Sequence, residues 1–497
     1  MVESWDFWVT VFLGLLIVQY LKQLWSSRNY PPGPFQLPLI GGILRIGTGI
    51  SHNILIKLAE EYGKIYTLWL GHRPLVVVSG FEAVKEVLVD HSDDFAGRPV
   101  AAFIKIALGK SAAAGILFSS GDTWKQHRRF GLVTLRKMGM GRKLMETQIE
   151  MEAKYLVESF ACTKGQPFDP ILPITNAVSN VICALAFGYR FSAEDEVFKQ
   201  KLESVDYVTK YATSVSAVLY ETFPWLMQRL PGSHQKLFDI FKKENSFAMG
   251  EIEKHREQQN KYEPQDIIDF YLLQMEKSKN DPTSTYSDDN LANFLNELFI
   301  AGTETSATSL QWALLLMVSY PDIQDKVYKE IEEVLGSSES FSYQDHKKLP
   351  YTNAVIHEIL RARYILFLGL PRECVKDVTI RGFHIPKGTF IISDLRSVLL
   401  DPEHWETPEK FNPHHFLDKD GNFIAGEEFL PFGAGARICL GDQLAKIEIF
   451  LFFTHLLRIF KFQLPEGVKA LNKEPMLGFT LHPHPYKICA IPRSTST

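Results

Sequence analysis

The chain has 497 residues, of which 45% are hydrophobic and 12% aromatic, enough to bury a large core. Its formal net charge of −5 excludes a global basic footprint, so we expect no nucleic-acid partner. The five cysteines are odd in number and widely spaced, which excludes a disulfide scaffold and paired-cysteine zinc sites and fits a reducing compartment.

An apolar run over residues 5–21 opens the chain and is about as long as a minimal membrane-spanning helix. A cleaved signal peptide is the alternative, but it would begin with basic residues and end at a small-residue site, and neither is present. We therefore predict an uncleaved N-terminal membrane-anchor helix over residues 1–24. Because Lys22 and Arg28 follow the run, the rest of the chain is expected on the cytosolic side.

The segment Pro31-Pro32-Gly33-Pro34 comes next. Proline fixes its backbone dihedral and extends the chain, so residues 25–40 are predicted to form a proline-rich linker. Residues 41–497 are then expected to form one globular domain.

This domain is predicted to be mainly helical. Short strands and helices alternate from Ile54 to about Arg98, helical patterns dominate to about residue 365, and a second β-like zone covers Val378 to Ser393. The predicted fold class is mainly α (α+β), with a large helical domain and small β-sheets.

Trp124 and Arg128 lie four residues apart on a predicted helix and so project from one face. An indole N–H and a guanidinium that converge can bind a carboxylate, although an ordinary surface pair on a basic helix is the alternative. The same stretch is locally positive and could attract an acidic protein partner, or simply be a solvated face. Its basic residues are Lys125, Arg129, Arg136, Lys137, Arg142 and Lys143.

A strongly apolar stretch over residues 296–318 predicts a long buried helix, yet its centre holds the polar residues 302–306. Buried polar side chains are costly unless they are satisfied or used. We expect the Thr305 hydroxyl to bond to the Ala301 carbonyl, which loosens the helix and opens a groove for water or dioxygen. Glu304 is then a link in a proton path. A kink with solvated side chains is the alternative.

Cys439 ends a glycine-rich turn over residues 431–441, before a long apolar run. The N-terminus of the following helix is expected to favour its thiolate, and Arg437 to offset the negative charge. A thiolate beside a wide face cleared by glycines suits axial ligation of haem iron. A buried structural cysteine is the alternative.

Together these stretches resemble cytochrome P450, specifically the microsomal family 2 monooxygenases of vertebrates, in the branch that oxidises polyunsaturated fatty acids and xenobiotics. The resemblance covers nearly the whole chain. Besides the anchor, it rests on five motifs: Pro31-Pro32-Gly33-Pro34, Trp124-xxx-Arg128, Ala301-Gly302-Thr303-Glu304-Thr305, Glu358-xx-Arg361 and Phe432-xx-Gly435-x-Arg437-x-Cys439-x-Gly441.

The resemblance implies the cytochrome P450 fold, with residues 41–497 as a haem-thiolate monooxygenase domain that uses haem b. Cys439 would be the metal ligand, and Thr305 and Glu304 would help to activate dioxygen. Glu358, Arg361 and His415 would form a structural network behind the haem. The implied ligands of the haem propionates are Arg98, Trp124, Arg128, Arg372 and Arg437.

The resemblance also implies partners. Electrons would come from NADPH through NADPH-cytochrome P450 reductase, with cytochrome b5 as a further partner, because the chain has no dinucleotide or flavin fingerprint of its own. The protein would lie in the endoplasmic reticulum membrane, with its catalytic domain in contact with the lipid bilayer on the cytosolic side. Its substrates would be lipophilic: polyunsaturated fatty acids such as arachidonic acid, and xenobiotics, changed by hydroxylation, epoxidation or dealkylation.

Two alternatives to this function stay open. One is a haem-thiolate isomerase or synthase that rearranges a peroxide without a reductase. The other is a non-enzymatic, membrane-anchored haem or lipid binder.

Other parts of the sequence allow less specific predictions. Ala436 stands where lysine is common in the family, which removes one positive charge from the face expected to meet the reductase. The segment from Arg363 to Phe367 departs from its close relatives, so substrate preference does not carry over. Phe223–Met227 is interpreted as core, with a second membrane contact as the alternative. Apolar pocket candidates are Phe103, Ile104, Leu117, Phe118, Phe294, Ala301, Thr305, Ile365, Phe367, Leu477 and Phe479.

Overall fold

The structure is a computed structural model that describes residues 2–37, 41–42, 52–71, 73–139, 143–258, 263–336, 341–366 and 368–493. Over these residues the protein is mainly helical with small sheets, as predicted. In chain order the α-helices are α1 (Val2–Ser27), α2 (His52–Tyr62), α3 (Phe81–Lys85), α4 (Ala102–Leu108), α5 (Gly121–Lys137), α6 (Lys143–Ala161), α7 (Ile171–Phe187), α8 (Glu196–Ala212), α9 (Val215–Thr222), α10 (Pro224–Met227), α11 (Ser233–Gln258), α12 (Ile267–Lys277), α13 (Asp288–Ser319), α14 (Pro321–Leu335), α15 (Pro350–Ala362), α16 (Leu395–Leu399) and α17 (Asp442–Ile459).

Most strands fall in the two zones that the sequence predicts, with one short strand just before the second zone and further short pairs near the C-terminus. They are β1 (Ile65–Leu70), β2 (Arg73–Ser79), β3 (Arg372–Glu373), β4 (Val378–Ile380), β5 (Phe383–Ile385), β6 (Phe390–Asp394), β7 (Phe460–Gln463), β8 (Pro475–Met476), β9 (His482–Pro483) and β10 (Cys489–Pro492).

The largest sheet has the strand order β1-β2-β6-β3. Strand β2 is antiparallel to β1 and parallel to β6, and β3 is antiparallel to β6 with Arg372 opposite Ile391. Strands β8 and β9 form a separate hairpin in which Met476 lies opposite His482. This hairpin packs on α13 and so brings the C-terminal region to the central helix.

Helix α13 runs through the main hydrophobic core and packs against α7 and α17. Its C-terminal half, from Ser306 to Val318, is continuously buried. Gly302 permits the close approach of α7, because a Cβ at that position would overlap the Ile182 side chain. The polar centre of α13 is thus held in a fixed place by packing on both sides.

The N-terminal helix α1 covers the predicted anchor. Among the residues described, no helix is both long enough and apolar enough to cross a membrane. The last turns of α1 lie against the globular domain, where Gln23 Nε2 donates to Gln36 Oε1 (2.6 Å) and to the Gly71 carbonyl (3.1 Å).

The proline-rich stretch is bound to strand β1. The Thr67 hydroxyl donates to the Pro31 carbonyl (2.9 Å), and the Thr67 backbone N–H donates to the Pro32 carbonyl (2.8 Å). These two bonds fix the direction in which the chain enters the domain.

The apolar segment Phe223–Met227 is not part of the core, and our sequence interpretation of it is wrong. Trp225 on α10 is 61% exposed, and no residue of α10 is buried. On the adjoining α9, Val215 and Leu219 are also exposed. Helices α9 and α10 therefore present an apolar surface.

Candidate functional site

The cysteine turn, residues 431–441, is braced by a short π-helix over Glu86–Asp90. Gly435 has a φ of +70°, and a Cβ there would overlap the Leu88 carbonyl oxygen, so only glycine fits without distortion. The Ala436 N–H donates to the Ser92 hydroxyl (2.6 Å), and the Cys439 N–H donates to the Phe432 carbonyl (3.0 Å). The turn is thus fixed at both ends and presents Cys439 from a rigid backbone.

The thiol of Cys439 is accessible but surrounded by protein. The residue is exposed by surface area, yet desolvation raises the pKa of its thiol to about 11, with the Gly441 N–H, Arg128 and Lys446 lowering it only in part. These two facts fit a thiol that borders an enclosed space and not bulk solvent. As expected, the Gly441 N–H just before α17 favours the thiolate, but burial outweighs it, and the nearby cations that lower the thiol pKa are Arg128 and Lys446. The charge-offsetting role expected of Arg437 stays a prediction. A bound metal cation would reverse the balance, because it deprotonates a coordinating thiol.

Four arginines from four parts of the chain gather near this thiol. Burial and then Arg372 and Arg128 lower the pKa of Arg437 to about 9, and burial and then Arg128 lower that of Arg372 to about 10. Burial and the other three arginines lower the pKa of Arg98. The four-arginine cluster (Arg98, Arg128, Arg372 and Arg437) therefore repels itself, and an anionic group would stabilise it.

Two nitrogens of the cluster lack a protein partner. Arg98 Nε and Arg372 Nη1 are buried and have no hydrogen-bond partner among the described residues. Buried donors in native proteins are normally satisfied. An anion with several acceptor oxygens would satisfy both.

Arg437 makes more hydrogen bonds to the surrounding backbone than the other arginines of the cluster. Its guanidinium donates to the backbone carbonyls of Ala96 (2.9 Å), Ile116 (3.1 Å) and Ser119 (2.6 Å). It also lies over the Trp124 ring, 4.0 Å from the centroid. Trp124 and the arginines predicted from sequence are therefore brought together.

These residues fit haem b. The group carries an iron, which an enclosed thiol can ligate, and two carboxylates, which the cationic cluster and its unpartnered donors can bind. Arg372 and Arg437 are buried and Arg98 and Arg128 are half-buried, and a bound group with two carboxylates explains why four cations gather beside a cysteine.

Helix α13 reaches this region, because Glu297 Oε2 accepts from the Ile116 N–H (2.6 Å) and Arg437 donates to the Ile116 carbonyl (3.1 Å). The Thr305 hydroxyl donates to the Ala301 carbonyl (2.7 Å), as the sequence predicts, and the Ser309 hydroxyl donates to the Thr305 carbonyl (2.9 Å). Ala301 is exposed although the helix on its C-terminal side is buried. Two consecutive side-chain bonds to the backbone are of the kind that bends helices, and the groove expected from the sequence stays a prediction.

The Glu304 carboxylate is bonded to the C-terminal region of the chain. Its Oε1 accepts from the Thr480 hydroxyl (2.5 Å) and lies 2.6 Å from His482 Nε2. Next to it, the Ser306 hydroxyl donates to Glu448 Oε2 (2.6 Å), and burial raises the pKa of Glu448 to about 8. Thr480, His482 and Glu448 were absent from our sequence-based candidates, because no spacing links them to residues more than 140 positions away.

Glu358, Arg361 and His415 form the network that the resemblance implies. Arg361 is fully buried and donates to both oxygens of Glu358 (2.7 Å each), and His415 Nδ1 lies 3.2 Å from Glu358 Oε2. Arg361 also donates to the backbone carbonyls of Leu399, Pro408 and Lys410. The network ties α15 to the segment that leads to the cysteine turn.

Some of the predicted pocket residues lie in the core or at the surface. Phe294 is 1% exposed and packs edge-to-face on Phe130, so it belongs to the core and our assignment of it to the pocket is wrong. Leu477 is 64% exposed. Phe367, in the unusual wall from Arg363 to Phe367, lies outside the described residues.

Comparison with known proteins shows the family to which the chain belongs. The family model described as Cytochrome P450 matches residues 31–490. The chain is 42% identical over 488 residues to cytochrome P450 2J2 of Homo sapiens, covering 97% of this chain and 96% of that one. It is 42% identical over 488 residues to cytochrome P450 2J1 of Oryctolagus cuniculus (98% and 96%) and 39% identical over 490 residues to cytochrome P450 2C39 of Mus musculus (98% and 99%).

Proposed function

The chain belongs to the cytochrome P450 family and is a haem b-dependent monooxygenase of lipophilic substrates, and from that premise we propose which residues carry the reaction. Cys439 would ligate the haem iron, and the four-arginine cluster with Trp124 would bind the propionates. One observation carries this assignment. A thiol enclosed by protein lies near four arginines, and two buried guanidinium nitrogens of that cluster have no hydrogen-bond partner among the described residues.

Haem, when bound, supplies dioxygen activation and oxygen insertion, and a thiolate donor favours O–O cleavage. The protein supplies position and protons. Because the Thr305 hydroxyl hydrogen is committed to the Ala301 carbonyl, its oxygen is left to accept a hydrogen bond from water. Glu304, the residue before Thr305, carries the carboxylate that takes up and releases the proton.

We further propose that electrons arrive from NADPH through NADPH-cytochrome P450 reductase, with cytochrome b5 as a second partner. The exposed side of helix α5 is basic, which supports its use as a docking face for an acidic protein. Its residues Lys125, Arg129 and Lys137 are exposed, whereas Gly131 of the same helix approaches Leu440 beside Cys439. A protein bound to the basic side of α5 would sit next to the cysteine turn.

For substrates we propose polyunsaturated fatty acids, such as arachidonic acid, and lipophilic xenobiotics. For location we propose the endoplasmic reticulum membrane, with residues 1–24 as the anchor, 25–40 as the linker and 41–497 as the cytosolic catalytic domain. The apolar N-terminal run and the exposed Trp225 of α10 support contact with lipid.

The ligand assignment is tested by the reduced carbon-monoxide difference spectrum. Wild type should give the strongly red-shifted Soret band of a thiolate-ligated haem, and Cys439→Ser should lose it. Cys162→Ser is the matched control, because Cys162 is an exposed cysteine elsewhere. A red-shifted band that survives in Cys439→Ser would refute the assignment.

The reaction is tested by reconstituting the full chain with reductase and NADPH, and by identifying the products from arachidonic acid and a few drug-like amines. Oxygenated products that require NADPH are expected. Rearrangement of a lipid peroxide without NADPH, and no NADPH-dependent product, would instead support an isomerase.

A further inference from the structure

Glu304 and Thr308 are four residues apart on α13, so they face the same neighbour. That neighbour is His482 of β9. Its Nε2 lies 2.6 Å from Glu304 Oε1, and its Nδ1 lies 3.2 Å from the Thr308 hydroxyl oxygen. One ring nitrogen is therefore engaged by a carboxylate and the other by a hydroxyl.

The backbone around His482 is fixed. Trp312 Nε1 of α13 donates to the Leu481 carbonyl (2.7 Å), and the Leu481 N–H donates to the Ile365 carbonyl (2.7 Å). The Tyr486 hydroxyl donates to the Gln311 carbonyl (2.6 Å). His482 is thus held against the helix by its neighbours on both sides and is not a freely moving surface histidine.

The two members of the pair differ in exposure. The His482 side chain is 31% exposed and that of Glu304 is 12% exposed. The histidine is therefore the member that exchanges protons readily with water. The carboxylate is the more enclosed member and belongs to the polar centre of α13.

Among the described residues, the charged and polar side chains bonded to this pair come from α13 and from the β8–β9 hairpin. On α13 the titratable group bonded to His482 is Glu304, and across the hairpin its partner is the neutral Met476. The Thr480 hydroxyl, 2.8 Å from Nε2, is the remaining polar contact, and it does not titrate. Lys473, just before β8, lies over the Tyr320 ring instead.

We propose that His482 is a positioning residue for Glu304 and its source of protons during monooxygenation. The inference rests on the proposed role of Glu304. Imidazolium Nε2–H passes its proton to the Glu304 carboxylate, leaving neutral imidazole and a carboxylic acid. Glu304 releases that proton to water beside Thr305, and solvent reprotonates His482. Each cycle moves one proton and no electrons, and monooxygenation consumes two protons when one oxygen atom is reduced to water.

The decisive variant is His482→Gln, because glutamine keeps a donor for Glu304 but does not titrate. The measurement is the ratio of product formed to NADPH consumed, followed across a pH series, because a proton donor and a merely structural side chain differ in their pH dependence. In wild type the ratio should fall as pH rises. In His482→Gln it should be at least about threefold lower at the acidic end and flat across pH. His414→Gln, an exposed histidine outside the site, should behave as wild type.

A His482→Gln profile identical to that of wild type would overturn the proposal. His482→Phe removes the hydrogen bond to Glu304 as well as the titratable ring. If only this variant lost product per NADPH, while His482→Gln kept the wild-type ratio and pH dependence, the proposal would also be overturned. That result would mean that His482 merely holds Glu304 and passes no proton.

A second measurement does not depend on turnover. Diethyl pyrocarbonate reacts with free imidazole nitrogens, and labelling of each histidine is followed by mass spectrometry on the haem-loaded full chain. His482 should react slowly in wild type and severalfold faster in Glu304→Ala, with His414 as internal reference. Equal rates would refute the contact. Absence of the red-shifted band in wild type would instead refute the proposed function, and the labelling would still report on the pair.

Discussion

Single residues of the arginine cluster differ in what else they hold. Arg372 donates to the Ala434 carbonyl at 3.3 Å, and its Nη1 is buried without a partner among the described residues. Arg437 binds three backbone carbonyls and so supports the loop that leads to α5. Removing Arg372 should therefore affect the bound anion, whereas removing Arg437 should affect the fold as well.

We predict that Arg372→Ala weakens haem retention by roughly 10- to 100-fold, the worth of one charge-assisted hydrogen bond of about 1.5–3 kcal/mol. Its thermal midpoint without haem should not fall, because one repelling charge is gone. Arg437→Ala should lose both haem and stability. Haem content per chain and melting followed by circular dichroism measure the two effects.

The control for these variants is Arg129→Ala, which removes an exposed arginine from the same helix as Arg128. It should retain haem as wild type does. If Arg372→Ala retained haem equally well, the cluster would not be the propionate site.

At the scale of elements, the cysteine turn depends on where its backbone approaches the π-helix. Gly433 and Gly435 both have positive φ, +72° and +70°. A Cβ at Gly433 would meet Leu395 Cδ1 at 4.0 Å, an ordinary contact, whereas a Cβ at Gly435 would overlap the Leu88 carbonyl. The pair separates the cost of backbone strain from the cost of overlap.

We predict that Gly433→Ala is tolerated, with a loss of about 1 kcal/mol from the left-handed backbone alone, and gives the red-shifted carbon-monoxide band. Gly435→Ala should yield little folded haem protein, because backbone on both sides must move. The measurement is the amount of that band per milligram of purified protein. Equal yields from the two variants would show that the close approach to Leu88 is not required.

The same elements show which features sequence can predict. The Thr305–Ala301 bond and the Trp124–Arg128 face follow from helical spacing, and the cysteine turn follows from its glycines, so all three could be predicted locally. The Glu304–His482 and Ser306–Glu448 bonds join residues 178 and 142 positions apart, and they depend on how the β8–β9 hairpin and α17 pack on α13. The net rise in the pKa of the Cys439 thiol could not be predicted locally either, because burial is a property of the packed protein and outweighs the local helix terminus.

At the scale of the whole molecule, folding buries several carboxyl groups whose hydrogen bonds do not fully offset the loss of hydration. Burial raises the pKa of Glu448 to about 8, that of Glu297 to about 7 and that of Asp394 to about 6. Glu448 Oε1 has no hydrogen-bond partner among the described residues. A group with a raised pKa in the folded state binds its proton more tightly there, so it contributes stability below its unfolded pKa and loses that contribution as pH rises through its folded pKa.

For Glu448 this window runs from about pH 4.5 to about pH 8. Glutamine imitates the protonated acid and can still accept the Ser306 hydrogen bond. Glu448→Gln should therefore match wild type near the acidic end and become more stable by the order of a few kcal/mol at the alkaline end, since each unit of pKa shift corresponds to about 1.4 kcal/mol. Urea midpoints followed by circular dichroism across this range give the comparison. Glu257→Gln, at an exposed position, should follow wild type throughout. If Glu448→Gln were no more stable than wild type at the alkaline end, the side chain would be ionised in the folded protein, and the contact with Ser306 would be a charge-assisted bond.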